Sequence, residues 1–197
     1  MIRDWLARER EKAGGNPTTE DIAALSEDDA LDALLRAKPG AAAFFWRDAP
    51  VTCYRLSLSR ERFDRLRVVP GPERLGWRAL AASERVRDCA RRIDRADTDD
   101  LARETRIDVA AIERLAREGI PEEPLVLSTR RGAVPWRVAD GNHRAVAAAL
   151  RLRRGVAYQP VPAYLCVGAN PVLKPLRERL LGFVPERWRP AGISKTG

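Results

Sequence analysis

Apolar positions in the first 50 residues recur at helical spacing. Ile2, Trp5 and Leu6 form one short stripe that stops at Gly14-Gly15; Ala30, Leu31, Leu34 and Leu35 form a second that ends at Lys38-Pro39-Gly40. Ser26, with Asp29 three residues on, resembles a capping box, because a hydroxyl there takes one of the orphan N–H groups that open a helix. The period then changes to two. Val51-Thr-Cys-Tyr-Arg-Leu-Ser-Leu58 alternates from Cys53 onward and reads as a half-buried strand, with Ser59 capping the following turn. Residues 70–100 are mixed and read as an insertion: Pro70-Gly71-Pro72 as loop, Ala79 to Ile93 as one helix, Asp97-Thr-Asp-Asp100 as an acidic turn. Helical spacing returns from Asp108 to Glu118, with Val109, Ile112 and Leu115 inward and Gly119 as its C-terminal cap.

The last third is denser in signals. Pro124-Leu-Val-Leu127 predicts a strand, Arg130-Arg131-Gly132 a turn, Val134 to Val138 a second strand, and Ala145 to Leu150 an alanine-rich helix that closes over Arg151 to Gly155. Val161-Pro-Ala-Tyr-Leu-Cys-Val167 is a further strand, whose Pro162 suggests an edge or a bulge. Leu173, Leu176, Leu180 and Leu181 share one face of a final helix, a stripe suited to packing or to a protein partner. Trp46 and Trp77 read as packing residues. The expected architecture is α/β (α+β): a small mixed sheet surrounded by helices over residues 49–184, preceded by an acidic helical extension over 1–48 and followed by a basic tail over 185–197.

Charge sharpens this division. Of the net +8, residues 1–50 carry −3, residues 51–124 carry +1 and residues 125–197 carry +10. Such a local field suits a polyanion, either nucleotide phosphates or a nucleic-acid backbone. Arginine supplies 32 of the 36 basic residues, a bias that a GC-rich genome produces without any function. Cys53, Cys89 and Cys166 are odd in number and widely spaced; with a single His they give no zinc spacing and read as reduced and partly buried. A hard cation such as Mg²⁺ needs neither Cys nor His. No stretch approaches the roughly 20 apolar residues of a membrane span, and Met-Ile-Arg-Asp-Trp lacks the charged-then-apolar order of a signal peptide. The expected compartment is the cytoplasm.

The only histidine lies in Asp140-Gly141-Asn142-His143-Arg144, between the Val134–Val138 stretch and the alanine-rich helix. A glycine turn there aims the first free N–H groups of the helix at an anion. Arg144 would clamp phosphate oxygens bidentately, and His143 would donate a hydrogen bond and titrate near neutrality. Asp140 has two readings, a ligand for Mg²⁺ or a proton acceptor on one side, and a turn or cap residue on the other. Asn142 either contacts phosphate or caps the helix, with capping favoured. Asp140, His143 and Arg144 are therefore the candidate catalytic residues, and Gly141, Asn142, His143 and Arg144 the candidate phosphate contacts. Arg130, Arg131, Arg151, Arg153 and Arg154 form a patch that would track DNA, the alternative being a solvated face.

The order of helix, Gly119-Ile-Pro, strand, turn, strand, Asp140-Gly141-Asn142-His143-Arg144, alanine-rich helix and Val/Pro-rich strand resembles the ParB/sulfiredoxin superfamily. The resemblance covers Asp108 to Val167, with Cys53–Leu58 as the family's first strand. It implies a nucleotide-phosphate site at the motif, with ATP or another nucleotide and Mg²⁺ as cofactors. Its branches imply different chemistry. Sulfiredoxins need a nucleophilic cysteine where Asn142 stands, and an amide forms no sulfur–sulfur intermediate. Partition proteins continue into DNA-binding and dimerisation domains that the short remainder has no room for. A free-serine-kinase branch has a motif differing at one position, which implies a small-molecule kinase. Plasmid fertility-inhibition proteins of the Osa type are similar in size and charge, which implies ATPase and DNase activity, DNA as a partner, and a protein partner in a conjugation or secretion system. The leading expectation is a nucleotide-binding ATPase with DNA binding; a kinase and a DNA- or protein-binding regulator without catalytic activity are the alternatives.

Overall fold

A computed structural model of the chain describes residues 1–14, 19–45, 51–69, 76–130 and 135–168. Among these residues the alternating stretches form β1 (Val51–Leu58), β2 (Leu125–Arg130), β3 (Arg137–Asp140) and β4 (Val161–Gly168), joined in one mixed sheet of order β1-β4-β2-β3. β4 runs antiparallel to β1 and parallel to β2, while β3 returns antiparallel to β2. Among the described residues nine α-helices accompany the sheet: α1 (Ile2–Lys12), α2 (Thr19–Ala23), α3 (Glu27–Ala37), α4 (Arg60–Asp64), α5 (Gly76–Leu80), α6 (Val86–Ile93), α7 (Thr98–Thr105), α8 (Val109–Glu118) and α9 (Asn142–Arg153). The mixed α/β class and the N-terminal helices are as the sequence predicts.

The period-two pattern divides the strands between two apolar layers. Leu58, Leu125, Leu127, Val138, Ala163 and Leu165 join the main core, which α6, α8 and α9 cover with residues such as Cys89, Ile112 and Val146. Val126 and Cys166 point the other way and are buried under Trp5, Leu6, Leu34 and Phe45 from the N-terminal helices. The N-terminal segment thus covers the second face of the sheet. Its helices obey the expected grammar: the Asp29 N–H donates to Ser26 Oγ at 3.1 Å, and a 3₁₀ turn over Pro39–Ala43 follows Lys38.

Several expectations are corrected. The predicted helix Ala79–Ile93 is broken into α5 and α6, because the chain reverses at Glu84, whose φ of 56° is left-handed. Glu84 is buried and compensated there: its backbone carbonyl accepts from the Val68 N–H at 2.8 Å and its carboxylate from Arg137 at 2.9 Å. The acidic turn at 97–100 is the start of a helix. Asp97 Oδ1 accepts from the N–H groups of Asp99 and Asp100, and the acidic first turn suits the positive end of α7. The strand expected over 134–138 begins at Arg137 and runs into the motif as far as Asp140. Pro162 marks neither edge nor bulge: β4 is central, and the proline sits one residue before its ladder with β2 begins at Ala163, where no N–H is required on that side.

Cys53 and Cys166 are not reduced. They oppose each other directly in the β1–β4 register and form a disulfide between residues 113 apart in sequence, a pairing that only the fold creates. Cys89 is the free, buried thiol, pushed up to about 12 by burial, with the Asp88 charge adding to the effect. The helix expected over 173–181, the tail, Trp46 and the 70–72 loop lie outside the described residues.

Candidate functional site

The motif sits where β3 hands over to α9. Gly141 is the N-cap of α9 in a left-handed conformation, φ 87° and ψ 26°. The conformation favours glycine, and a Cβ at this position would come within 2.7 Å of Leu125 Cδ2 and 2.9 Å of Arg144 Nη2, so the ends of those side chains would have to shift. Asn142 does not cap the helix. As its first residue it accepts the Val69 N–H through Oδ1 at 3.0 Å, tying the segment before residue 70 to the motif. The backbone N–H groups of Asn142, His143 and Arg144 hydrogen-bond to none of the described residues, as expected of a first helical turn.

His143 packs edge-on against Trp77, with ring centroids 5.1 Å apart and an interplanar angle of 73°. Burial pulls its pKa below the ordinary 6.5, against the opposing charge of Asp108. At neutral pH the imidazole is therefore neutral, with one nitrogen able to donate and the other to accept. Trp77 was expected only as a packing residue, and nothing in its sequence context links it to His143.

Asp140 and Arg144 have protein partners. Lys38 Nζ donates to Asp140 Oδ1, and Arg144 Nη2 donates to Asp140 Oδ2 at 3.3 Å. Arg144 Nη1 lies 2.8 Å from the Glu123 backbone oxygen and 3.0 Å from Glu123 Oε2. Lys12 reaches the same Glu123 oxygen at 3.2 Å and Glu9 at 3.7 Å, and Glu9 lies 3.2 Å from Lys38. Lys12, Glu9, Lys38, Asp140, Arg144 and Glu123 thus form a closed ring of six alternating charges that ties the N-terminal helices to the motif. Burial of Asp140 works to raise its pKa, but the hydrogen bond and charge of Lys38, with Arg144 and Lys12, hold it below 3.8. Arg144 is only 9% exposed, and burial pulls its pKa below the ordinary guanidinium value against the carboxylates of Asp140 and Glu123. It stays charged.

Sequence reasoning missed Glu9, Lys12, Lys38 and Glu123. The two lysines fall in the last turn of α1 and at the C-cap of α3, where a cation is ordinary helix grammar, so spacing alone does not mark them. Asp140 as a Mg²⁺ ligand does not fit this arrangement. Both its oxygens face cations, and among the described residues no group of three or more His, Cys, Asp or Glu side chains could hold a metal ion.

The expected DNA patch also has other commitments. Arg151 donates to the Ala116 carbonyl at 3.1 Å, Arg153 pairs with Asp94 at 3.1 Å, and Arg154 pairs with Asp94 at 3.3 Å and Glu113 at 2.8 Å. Arg130 is described only through its backbone, at the end of β2, and Arg131 lies outside the described residues. A cavity of about 440 Å³ adjoins Arg144, bordered by Arg55, Arg151, Ile120, Leu152 and Tyr158, a size that suits a small organic ligand.

No helix among the described residues is long and apolar enough to cross a membrane. The fold and site define a mixed α/β protein with a glycine-opened helix at the end of its sheet. Compared with known proteins, the chain matches no family model, no curated protein and no solved structure.

Proposed function

We propose that the chain is a ParB/sulfiredoxin-type protein that binds a nucleotide phosphate at the first turn of α9 and hydrolyses it, with nucleic acid as a second partner. The observation that carries this reading is the Gly141 turn. It starts α9 with three N–H groups that bond to none of the described residues, beside a neutral His143. Phosphate oxygens suit such a nest. The roles within the motif shift from those expected. The backbone N–H groups and His143 contact phosphate, and His143 is the group able to hold or pass a proton. Asp140 and Arg144, already paired, fix the geometry of the turn as positioning residues. The cavity beside Arg144 has room for the organic part of a nucleotide.

The test is calorimetric titration with ATP and other nucleoside triphosphates in Mg²⁺ buffer, together with phosphate release. His143→Ala is expected to weaken nucleotide binding about tenfold, the worth of one charge-assisted hydrogen bond, without lowering thermal stability by a comparable measure. Arg144→Ala is expected to lose stability first, because it opens the ring. Absence of nucleotide binding by the unaltered chain, or equal affinity in His143→Ala, would sink the reading.

A further inference from the structure

A second concentration of described arginines lies around α4 and α6. α4 and α6 border two adjacent clefts of about 390 and 450 Å³ that share Asp64 and Arg87. Together these clefts form a trough, and the described residues that line it include seven arginines against three acids. The acids neutralise only part of it, and Arg153 is taken up by Asp94. Asp64 pairs with Arg60 at 2.9 Å, Glu61 with Arg65 at 2.8 Å, and Asp88 with Arg91 at 3.1 Å. Arg87 reaches Asp88 only at 3.9 Å, and Arg67 reaches Glu84 only at 4.0 Å, because Glu84 is taken up by Arg137. Arg85 is exposed and forms no ion pair among the described residues.

Beside Pro135 at one end of the trough, Arg62 lies over the Trp136 ring at 5.1 Å. Arg67, which lines the trough, lies two residues before Val69, whose N–H binds Asn142.

From this placement we infer that the trough between α4 and α6 is a binding surface for the sugar–phosphate backbone of a nucleic acid. The inference rests on the nucleic-acid half of the reading above and moves that contact from the α9 arginines to Arg67, Arg85 and Arg87. Rigid guanidinium forks match phosphate oxygens. An acidic protein is a poorer occupant: Ala149, Leu152 and Pro135 are the apolar residues lining the described trough, which leaves little surface for an apolar interface core. Window counting hid this surface, because the acids of residues 94–123 cancel its charge in the sequence.

The experiment is fluorescence anisotropy of labelled single-stranded and duplex oligonucleotides with the full chain over a series of salt concentrations. The variant Arg85→Glu/Arg87→Glu is compared with Arg114→Glu/Arg117→Glu, which makes the same charge change on the exposed face of α8. The trough variant is expected to bind at least about tenfold more weakly and to lower the salt slope by about 2, one for each lost phosphate contact. The α8 variant is expected to change affinity about twofold. Both variants substitute exposed side chains, and matching thermal melts with the unaltered chain confirm that each is folded; Arg85→Gln/Arg87→Gln replaces the trough variant if its melt shifts.

Equal loss in both pairs, or unchanged binding in the trough variant, would overturn the assignment. So would displacement of the oligonucleotide by oligoglutamate at matched charge. Failure of the unaltered chain to bind either oligonucleotide overturns the surface but leaves nucleotide binding, read separately by calorimetry, standing.

Discussion

On one face of the sheet, α6, α8 and α9 bury Leu127, Val138 and Leu165 in a continuous apolar layer. On the other, α1 and α3 bury a smaller group around Trp5, Leu34 and Phe45, and six alternating charges tie that layer to the motif. The difference shows how the chain combines a rigid scaffold with an electrostatically defined site. Hydrophobic burial is non-directional and serves a scaffold, whereas ion pairs fix the orientation of particular groups and respond to pH and salt. Asp140 and Arg144 sit where the two regimes meet.

Emptying either core has the largest expected effect. Leu127→Ala is expected to cost about 2–5 kcal/mol and to speed amide exchange throughout the sheet. Leu34→Ala, of the same chemistry, is expected to speed exchange first in α1 and α3. Identical exchange patterns in the two variants would show that the faces are one cooperative layer.

Removing the Cys53–Cys166 bridge by reductant is expected to cost about 2–4 kcal/mol, read as a lowered urea midpoint. Thiol titration of the unfolded, unreduced chain should find one thiol, from Cys89. Three thiols would mean that β1 is held to β4 by its ladder alone.

A smaller effect is expected from Lys38→Met, which leaves Arg144 as the one cation paired directly with Asp140 among the described residues: about 1–3 kcal/mol by urea unfolding. A loss no larger than that of the exposed Arg103→Ala would show that the ring does not act as a unit.

The smallest effect is a slope with pH. His143 lies below its ordinary 6.5 and Asp140 below 3.8, so in both cases the unfolded chain takes up a proton before the folded one. The His143 contribution is full above 6.5 and shrinks as pH falls through that value; the Asp140 contribution shrinks as pH falls through 3.8 toward its folded value. Urea midpoints at about pH 7.5 and about pH 5.5 isolate the first, and His143→Gln should flatten the slope between them.

Local rules made much of this legible. The Ser26 and Ser59 caps and the Gly141 turn each follow from residues within four positions of one another, and the β1 alternation from one eight-residue stretch. What the sequence hid depends on distant partners. The break at Glu84 is stabilised by Arg137 and Val68, the central place of β4 is set by pairing with β1 and β2, and the disulfide joins strands 113 residues apart. The site divides the same way. Gly141 and His143 were visible as a motif, whereas the restraint of Asp140 and Arg144 comes from Glu9, Lys12, Lys38 and Glu123, which carry no motif of their own. Arg151, Arg153 and Arg154 looked free because their acceptors, Ala116, Asp94 and Glu113, lie on other helices or turns.

The charge ring also bears on how such a chain can change over generations. Its members come from α1, the end of α3, the approach to β2, the end of β3 and the first turn of α9, yet each is flanked by two neighbours of opposite sign. Reversing one member sets a like charge against both neighbours, so the six positions form a single heritable trait. In relatives of this chain, substitutions there are expected to occur as compensating pairs or as wholesale replacement by apolar residues, and the motif would inherit its geometry from whichever solution was kept.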